Sequence, residues 1–345
     1  MSEMNADRTV GDIALGRARW GWSEIAFWLF AVASIFLFSD RYLILTEIAW
    51  LGLFALSLDL ILGYAGIVSL GHAAFFGLGA YSAGLLAVHG IIKEPVLALI
   101  VAGLGAMALG FITSFLVIRG SELSQLMVTL GIALLLRELA NKFSNITGGF
   151  DGLQGITMDP ILGLFAFDMF GKVGFIYCLV VLFALFLLAR RIVNSPFGLS
   201  LRAIRNNPLR AAAIGIPVNR RLIAVYTLSA FYAGIAGALF TQTTALASLD
   251  VFSFERSADL LLVLVIGGTG YLYGGLIGAV VFRILQDAFS SWTPQFWQFW
   301  IGLVLVLIVL IGRDRMHRGV LWLPRRVFQR FGKAKATPVP DGGAS

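Results

Sequence analysis

A chain of 345 residues in which 59% are hydrophobic and only 13% charged, with 28 phenylalanines and a mean hydropathy of +0.88, is too apolar for an ordinary water-soluble domain and calls for lipid as its solvent. The formal net charge of +7 is concentrated in one internal loop, residues 190–221, and in the C-terminal tail. Membrane orientation accounts for charge so placed, so nucleic-acid binding is not implied, and the single Cys178 within an apolar run excludes an intrachain disulfide.

The first residues, 1–21, are polar and mixed in charge with no apolar h-region, so no cleavable signal peptide is expected and the first span serves as the insertion signal. Apolar runs of near-membrane length follow at 22–38, 42–62, 69–88, 95–118 and 123–140. A Gly-, Asn- and Asp-rich interruption, 141–172, lacks basic bias and is expected to face outward. A sixth run, 173–189, leads to the basic loop, and 222–243, 258–271, 275–290 and 296–312 complete the series.

The expected fold is therefore all-α: a polytopic helical membrane protein of about ten transmembrane helices, or eight if the pair 258–271 and 275–290 is re-entrant. Residues 22–312 form the membrane domain, between a cytoplasmic N-terminal segment and a basic tail, 313–345. Arg8, Arg17 and Arg19 before the first span and eight Lys or Arg residues against two acids in the tail put both termini in the cytoplasm.

The 190–221 loop carries seven arginines (190, 191, 202, 205, 210, 220 and 221) and no acid, which marks it as cytoplasmic. Within it Asn207 suits an N-cap and Pro208 a first helical position, and a short helix over 209–214 is stopped by Gly215 and Pro217. Its small face, Ala212 and Ala213 among others, lets another protein's backbone come close, where a lipid-floating helix would carry Trp, Phe and Leu. This helix, with Arg205 just before it, is expected to dock a cytoplasmic partner.

Two stretches depart from plain spans. GYAGIVSLGHAAFFGLGAYSAG, residues 63–84, and GGTGYLYGGLIG, residues 267–278, hold six glycines each. Irregular backbone at membrane depth belongs against protein or along a water-filled path, and glycine-interrupted segments in both halves point to a transport site, although each glycine alone also suits close helix packing. Asp59, Ser69, His72, Tyr81, Gly267 and Gly268 are the candidate pathway residues. Asp59, one turn before Gly63, either orients the break or faces the cavity, and His72 either donates to a substrate carboxylate or satisfies freed carbonyls. Arg283 and Asp287, spaced i, i+4, are expected to neutralise each other.

There is no G-x-x-x-x-G-K-[ST], H-E-x-x-H, C-x-x-C or G-x-S-x-G, and His72, His89 and His317 are dispersed, so no enzyme, cofactor or metal site is expected. The runs LDLILGYAGIVSLGHAAFFGLGAYSAG, LRAIRNNPLRAAAIGIPVNRRLIAVYTLSAFYAGIAGALF and IGGTGYLYGGLIGAV closely resemble the LivM-type permease subunits of ABC importers for branched-chain amino acids. The resemblance spans about residues 51–312 and implies that the loop helix docks on an ATPase subunit. This sequence departs from that family's loop pattern at Asn206, Asn207 and Pro208, where an acidic residue is usual, while alanines 211 to 213 and Gly215 match.

By the same resemblance the partners are two ATPase subunits, a second, LivH-type permease and a periplasmic substrate-binding protein. The implied cargo is branched-chain or other hydrophobic amino acids, with urea, short amides or aromatic acids as alternatives. An ion-coupled secondary transporter, using Asp59 and His72, is the reading from a different class. It leaves the capped loop helix unexplained.

Overall fold

The computed structural model describes residues 21–311 apart from 169. The N-terminal arginines and the basic tail that entered the topology argument lie outside the described residues. The chain divides into two compact units, one up to Ile284 and one from Leu285.

Thirteen α-helices occur among the described residues: ten fall on the predicted spans, two in the basic loop, and one single turn in the 141–172 interruption. In chain order they are α1 (Trp22–Leu37), α2 (Tyr42–Ala65), α3 (Ala73–Val88), α4 (Pro95–Val117), α5 (Glu122–Lys142), the single turn α6 (Ser144–Thr147) and α7 (Lys172–Val193). The loop contributes α8 (Pro196–Asn206) and α9 (Pro208–Ala213), followed by α10 (Val218–Thr244), α11 (Phe254–Gly267), α12 (Leu272–Trp292) and α13 (Trp297–Ile311). Six of these, α2, α4, α5, α7, α10 and α12, are long and apolar enough to cross a bilayer.

In the first unit α2 and α10 form the centre. In the most apolar stretch of each, 78% of α2 and 72% of α10 is buried, against 17% of α5, so α5 is an outer helix and the other two are enclosed by protein. Small residues set this packing. Gly79 of α3 lies against the backbone of Gly234 on α10, and Gly110 of α4 lies against Ala230. Close approach of this kind is what holds helices together where surrounding lipid is as apolar as the side chains.

The helix directions follow from specific contacts. Glu24 at the start of α1 pairs with Arg190 near the end of α7 at 2.8 Å, so these two ends share one side, here termed the basic end. Arg205 of α8 bonds the Gly63 carbonyl, which places the end of α2 there too. Gly52, Ala55 and Glu47 of α2 meet Leu276, Gly275 and Arg283 of α12, so those helices run antiparallel and α12 starts at the basic end. In the second unit the rings of Phe289, Trp292 and Trp300 stack around the turn between α12 and α13, and Trp300 Nε1 donates to Thr293 Oγ1 at 2.9 Å.

The basic loop differs from its sequence reading in extent. Arg190 and Arg191 belong to the last turn of α7, where cations complement the helix dipole, and Arg220 and Arg221 to the first turns of α10. The loop proper holds two helices. Arg205, grouped above with the docking helix as the residue just before it, sits on a helix of its own, α8, whose eleven residues begin at Pro196 in the first helical position.

Candidate functional site

Both glycine-rich stretches break their helices, and both breaks pack on α2. α2 stops because Gly66 takes the left-handed conformation at φ +79°, with the Ile67 amide donating back to Ile61 at 3.0 Å. Residues 67–72 then return without helix, and α3 begins at Ala73. His72 lies beside Ser57, eight residues before the end of α2, so α3 starts about 12 Å inside that end.

The backbone freed by this break is met by hydroxyls. The Leu70 amide donates to Thr129 Oγ1 at 3.3 Å and the Ala73 amide to Ser257 Oγ at 3.0 Å. His72 is fully buried, its ring stacked on Phe54 with centroids 5.8 Å apart. Its Nε2 lies 2.9 Å from Ser57 Oγ and 3.3 Å from Ser229 Oγ. The Ser57 hydroxyl donates to Phe54 O and the Ser229 hydroxyl to Ser57 O, both at 2.5 Å, and a carbonyl can only accept. Both hydroxyl hydrogens are therefore committed. Nε2 must carry the imidazole proton and donate it, which leaves Nδ1 as a buried acceptor with no partner among the described residues. At Nε2, then, His72 meets hydroxyls and not a freed backbone carbonyl.

The second break, residues 268–271, is held by charge. Asp59 Oδ1 accepts from the Gly270 amide at 2.7 Å. A Cβ on Gly63 would collide with both the Asp59 carboxylate and the Gly270 nitrogen, so glycine there is what lets the break approach α2. Arg205 of α8 donates to the Gly63 carbonyl on the same turn, and the Arg202 guanidinium lies over the Tyr64 ring, 5.3 Å from its centroid. One turn of α2 thus joins the basic loop to the second break. Of the two roles expected for Asp59, the geometry realises orientation of backbone, and the backbone belongs to the other break, 211 residues away.

The remaining candidates fall in different places. Ser69 is buried, and its hydroxyl has no partner among the described residues. Tyr81 stacks on Phe252 at 5.5 Å, nine residues along α3 from His72, hence about 13 Å away. Gly267 packs face to face with Gly274 and Gly278 where α11 and α12 diverge, and Gly268 donates to Leu264 O at 2.7 Å. Asp59, His72 and the second break therefore share α2, while Tyr81 lies apart. Arg283 pairs with Glu47 across to α2. Sequence reasoning had given it only a partner on its own helix.

In the loop, Asn207 Oδ1 accepts from the Arg210 amide at 3.0 Å, the N-cap expected for α9. Ala211 is buried, whereas Leu209, Ala212, Ala213 and Ile214 are exposed, and Gly215 turns the chain into α10. Ser57, Thr129, Ser229 and Ser257 were not singled out from sequence, because isolated hydroxyls in an apolar helix usually bond their own preceding turn. No group of three or more His, Cys, Asp or Glu that could hold a metal ion exists among the described residues.

Helices long and apolar enough to cross a bilayer, two irregular segments packed on α2 and a capped basic loop define a polytopic helical membrane protein of the permease class. Residues 42–311 match the family described as "Branched-chain amino acid transport system / permease component", and the chain belongs to that family. It is 28% identical over 280 residues to the high-affinity branched-chain amino acid transport system permease protein LivM of Escherichia coli, and equally to that of Salmonella typhimurium, covering 74% of this chain. The matched region spans 64% of the length of those relatives. The autoinducer 2 import system permease protein LsrD of Escherichia coli is also 28% identical, over 90% of this chain and 98% of its own length. No solved structure matches.

Proposed function

We propose that the chain is a membrane-spanning subunit of an ATP-driven importer, working in the inner membrane with a second permease, two ATPase subunits and a substrate-binding protein that delivers hydrophobic amino acids. The observation that carries this reading is the loop. α9 and its C-cap present an exposed face of Leu209, Ala212, Ala213 and Ile214, while Arg205 of α8 ties the same loop to Gly63 and, through Asp59, to the break at Gly270. A partner that moves this loop moves both glycine-rich breaks, since both pack on α2. The permease itself does no bond chemistry: it reorients α2, α3, α11 and α12 between two closed ends. With the basic end in the cytoplasm, both termini lie there.

Ion coupling through Asp59 is disfavoured by its engagement with backbone at Gly270. The second reading is an importer of the same build with another cargo. It is supported by the near-complete coverage of LsrD, named for autoinducer 2 import, at the same 28% identity as LivM.

Purification of the chain from native membranes in mild detergent tests the assembly: a second permease and two nucleotide-binding subunits are expected with it, together with ATP hydrolysis. Recovery of the chain alone, with uptake that collapses when the proton gradient is dissipated, overturns the importer. Ala212→Glu on the exposed face of α9 is expected to abolish uptake with normal membrane insertion, and unchanged transport by this variant would sink the docking role.

A further inference from the structure

The basic end of the first unit contains a cavity of about 640 Å³ beside the turn that joins the loop to the second break, and the transport reading gives it no occupant. It is bounded by the start of α1, the ends of α2 and α7, α8, and the start of α12, and Tyr64, Tyr271 and Tyr273 line it. A cavity at the shared end of α1, α2, α7 and α12 with three tyrosines in its lining suits headgroup depth, where amphipathic aromatic rings collect.

Its charge is one-sided. Three guanidinium groups, Arg190, Arg202 and Arg205, face one carboxylate, Glu24. Arg190 pairs with Glu24, whereas Arg202 meets the Tyr64 ring and Arg205 a backbone carbonyl. Asp59, behind Gly63, is engaged with the Gly270 amide. No carboxylate pairs with Arg202 or Arg205 among the described residues. The helix termini supply little of the missing negative charge: the starts of α1 and α12 stand against the ends of α2, α7 and α8, which leaves about half a negative charge for two guanidinium groups. Two guanidinium groups on one wall suit a tetrahedral anion, because each presents its donors as a planar fork.

We propose that this cavity is a binding site for a phosphate group, filled in the membrane by the headgroup of an anionic phospholipid. The phosphate sits between Arg202 and Arg205, and the Arg190–Glu24 pair closes the wall. Because Arg205 also holds the Gly63 carbonyl, the occupant and the turn that joins the loop to the second break share one side chain. The site depends on the cavity and its arginines, and not on which cargo is carried.

The test is native mass spectrometry of the purified protein, with whatever subunits accompany it, after exposure to phosphatidylglycerol or to phosphatidylcholine. Wild type is expected to retain phosphatidylglycerol through delipidation and to lose phosphatidylcholine. Arg202→Gln is expected to lower phosphatidylglycerol retention about tenfold, the loss of one charge-assisted hydrogen bond. Arg191→Gln, the same charge change at an exposed position outside the cavity, is expected to leave retention unchanged. Displacement of the lipid by millimolar inorganic phosphate supports the phosphate chemistry; binding of phosphate without any lipid retention assigns the site to the free anion and overturns the lipid occupant. Equal losses in the Arg191 and Arg202 variants, or retention untouched by Arg202→Gln, overturn the site. So does lipid binding seen only after associated subunits are removed, since the occupant is then a partner's acid.

Discussion

The two breaks solve one problem by different means. At the first, freed backbone deep in the protein is met by neutral groups: Thr129 and Ser257 take amide protons, and a neutral His72 donates to Ser57. At the second, close to where α2 ends, the Gly270 amide is met by a carboxylate and the facing Gly63 carbonyl by a guanidinium. Ser57 and Gly63 are only six residues apart, about 9 Å along α2. Asp59 is as fully buried as Ser57 and His72, so what separates the breaks is the kind of group that meets freed backbone, a carboxylate and a guanidinium at one and hydroxyls at the other.

The comparison can be broken most severely at Gly63. Gly63→Val places a branched side chain into the Asp59 carboxylate and the Gly270 amide, and overpacking on this scale costs about 3 kcal/mol. A large drop in the thermal midpoint in detergent is expected, with loss of uptake; an unchanged midpoint would mean that the second break does not rest on α2. Asp59→Ala comes next. Losing a hydrogen bond to a charged acceptor costs about 2 kcal/mol, and Asp59→Asn, which keeps an acceptor, is expected to recover roughly half of it. Equal effects of Ala and Asn would make the bond to Gly270 unimportant.

At the first break the expected effects are smaller. His72→Gln keeps an N–H donor for Ser57 and is expected to cost about 1 kcal/mol, less than Asp59→Ala at the second break. The reverse order, read by denaturation of both variants in one detergent, would remove the distinction between the breaks. The smallest effect belongs to Glu24→Gln. Its pair with Arg190 is partly exposed, so the loss should stay within about 1 kcal/mol and shrink further as salt is raised.

Much of the architecture was legible before any coordinates. The ten apolar runs fall on α1 to α5, α7 and α10 to α13, because apolar length set by bilayer thickness is a local property of the chain. The Asn207 cap was equally local, and Gly63 and Gly267 were recognisable as points where backbone comes close to other atoms. The site was less legible. α8 was missed as a separate helix because Asn206, Asn207 and Pro208 read as the start of one helix without revealing that another ends there. The helix that carries Arg205 went unrecognised for that reason. Ser57, Ser229 and Ser257 look like any hydroxyl in an apolar helix.

What the sequence by itself determined is therefore the membrane class, the order of the apolar runs and the positions of the two breaks, since hydropathy, glycine and proline act on the chain locally. Only the tertiary structure decided what meets the breaks. The Asp59–Gly270 bond, the Arg205–Gly63 bond and the committed tautomer of His72 each join residues from different helices, up to 211 positions apart. Hydrogen bonds depend on distance and direction, and neither exists for such pairs until the helices have packed.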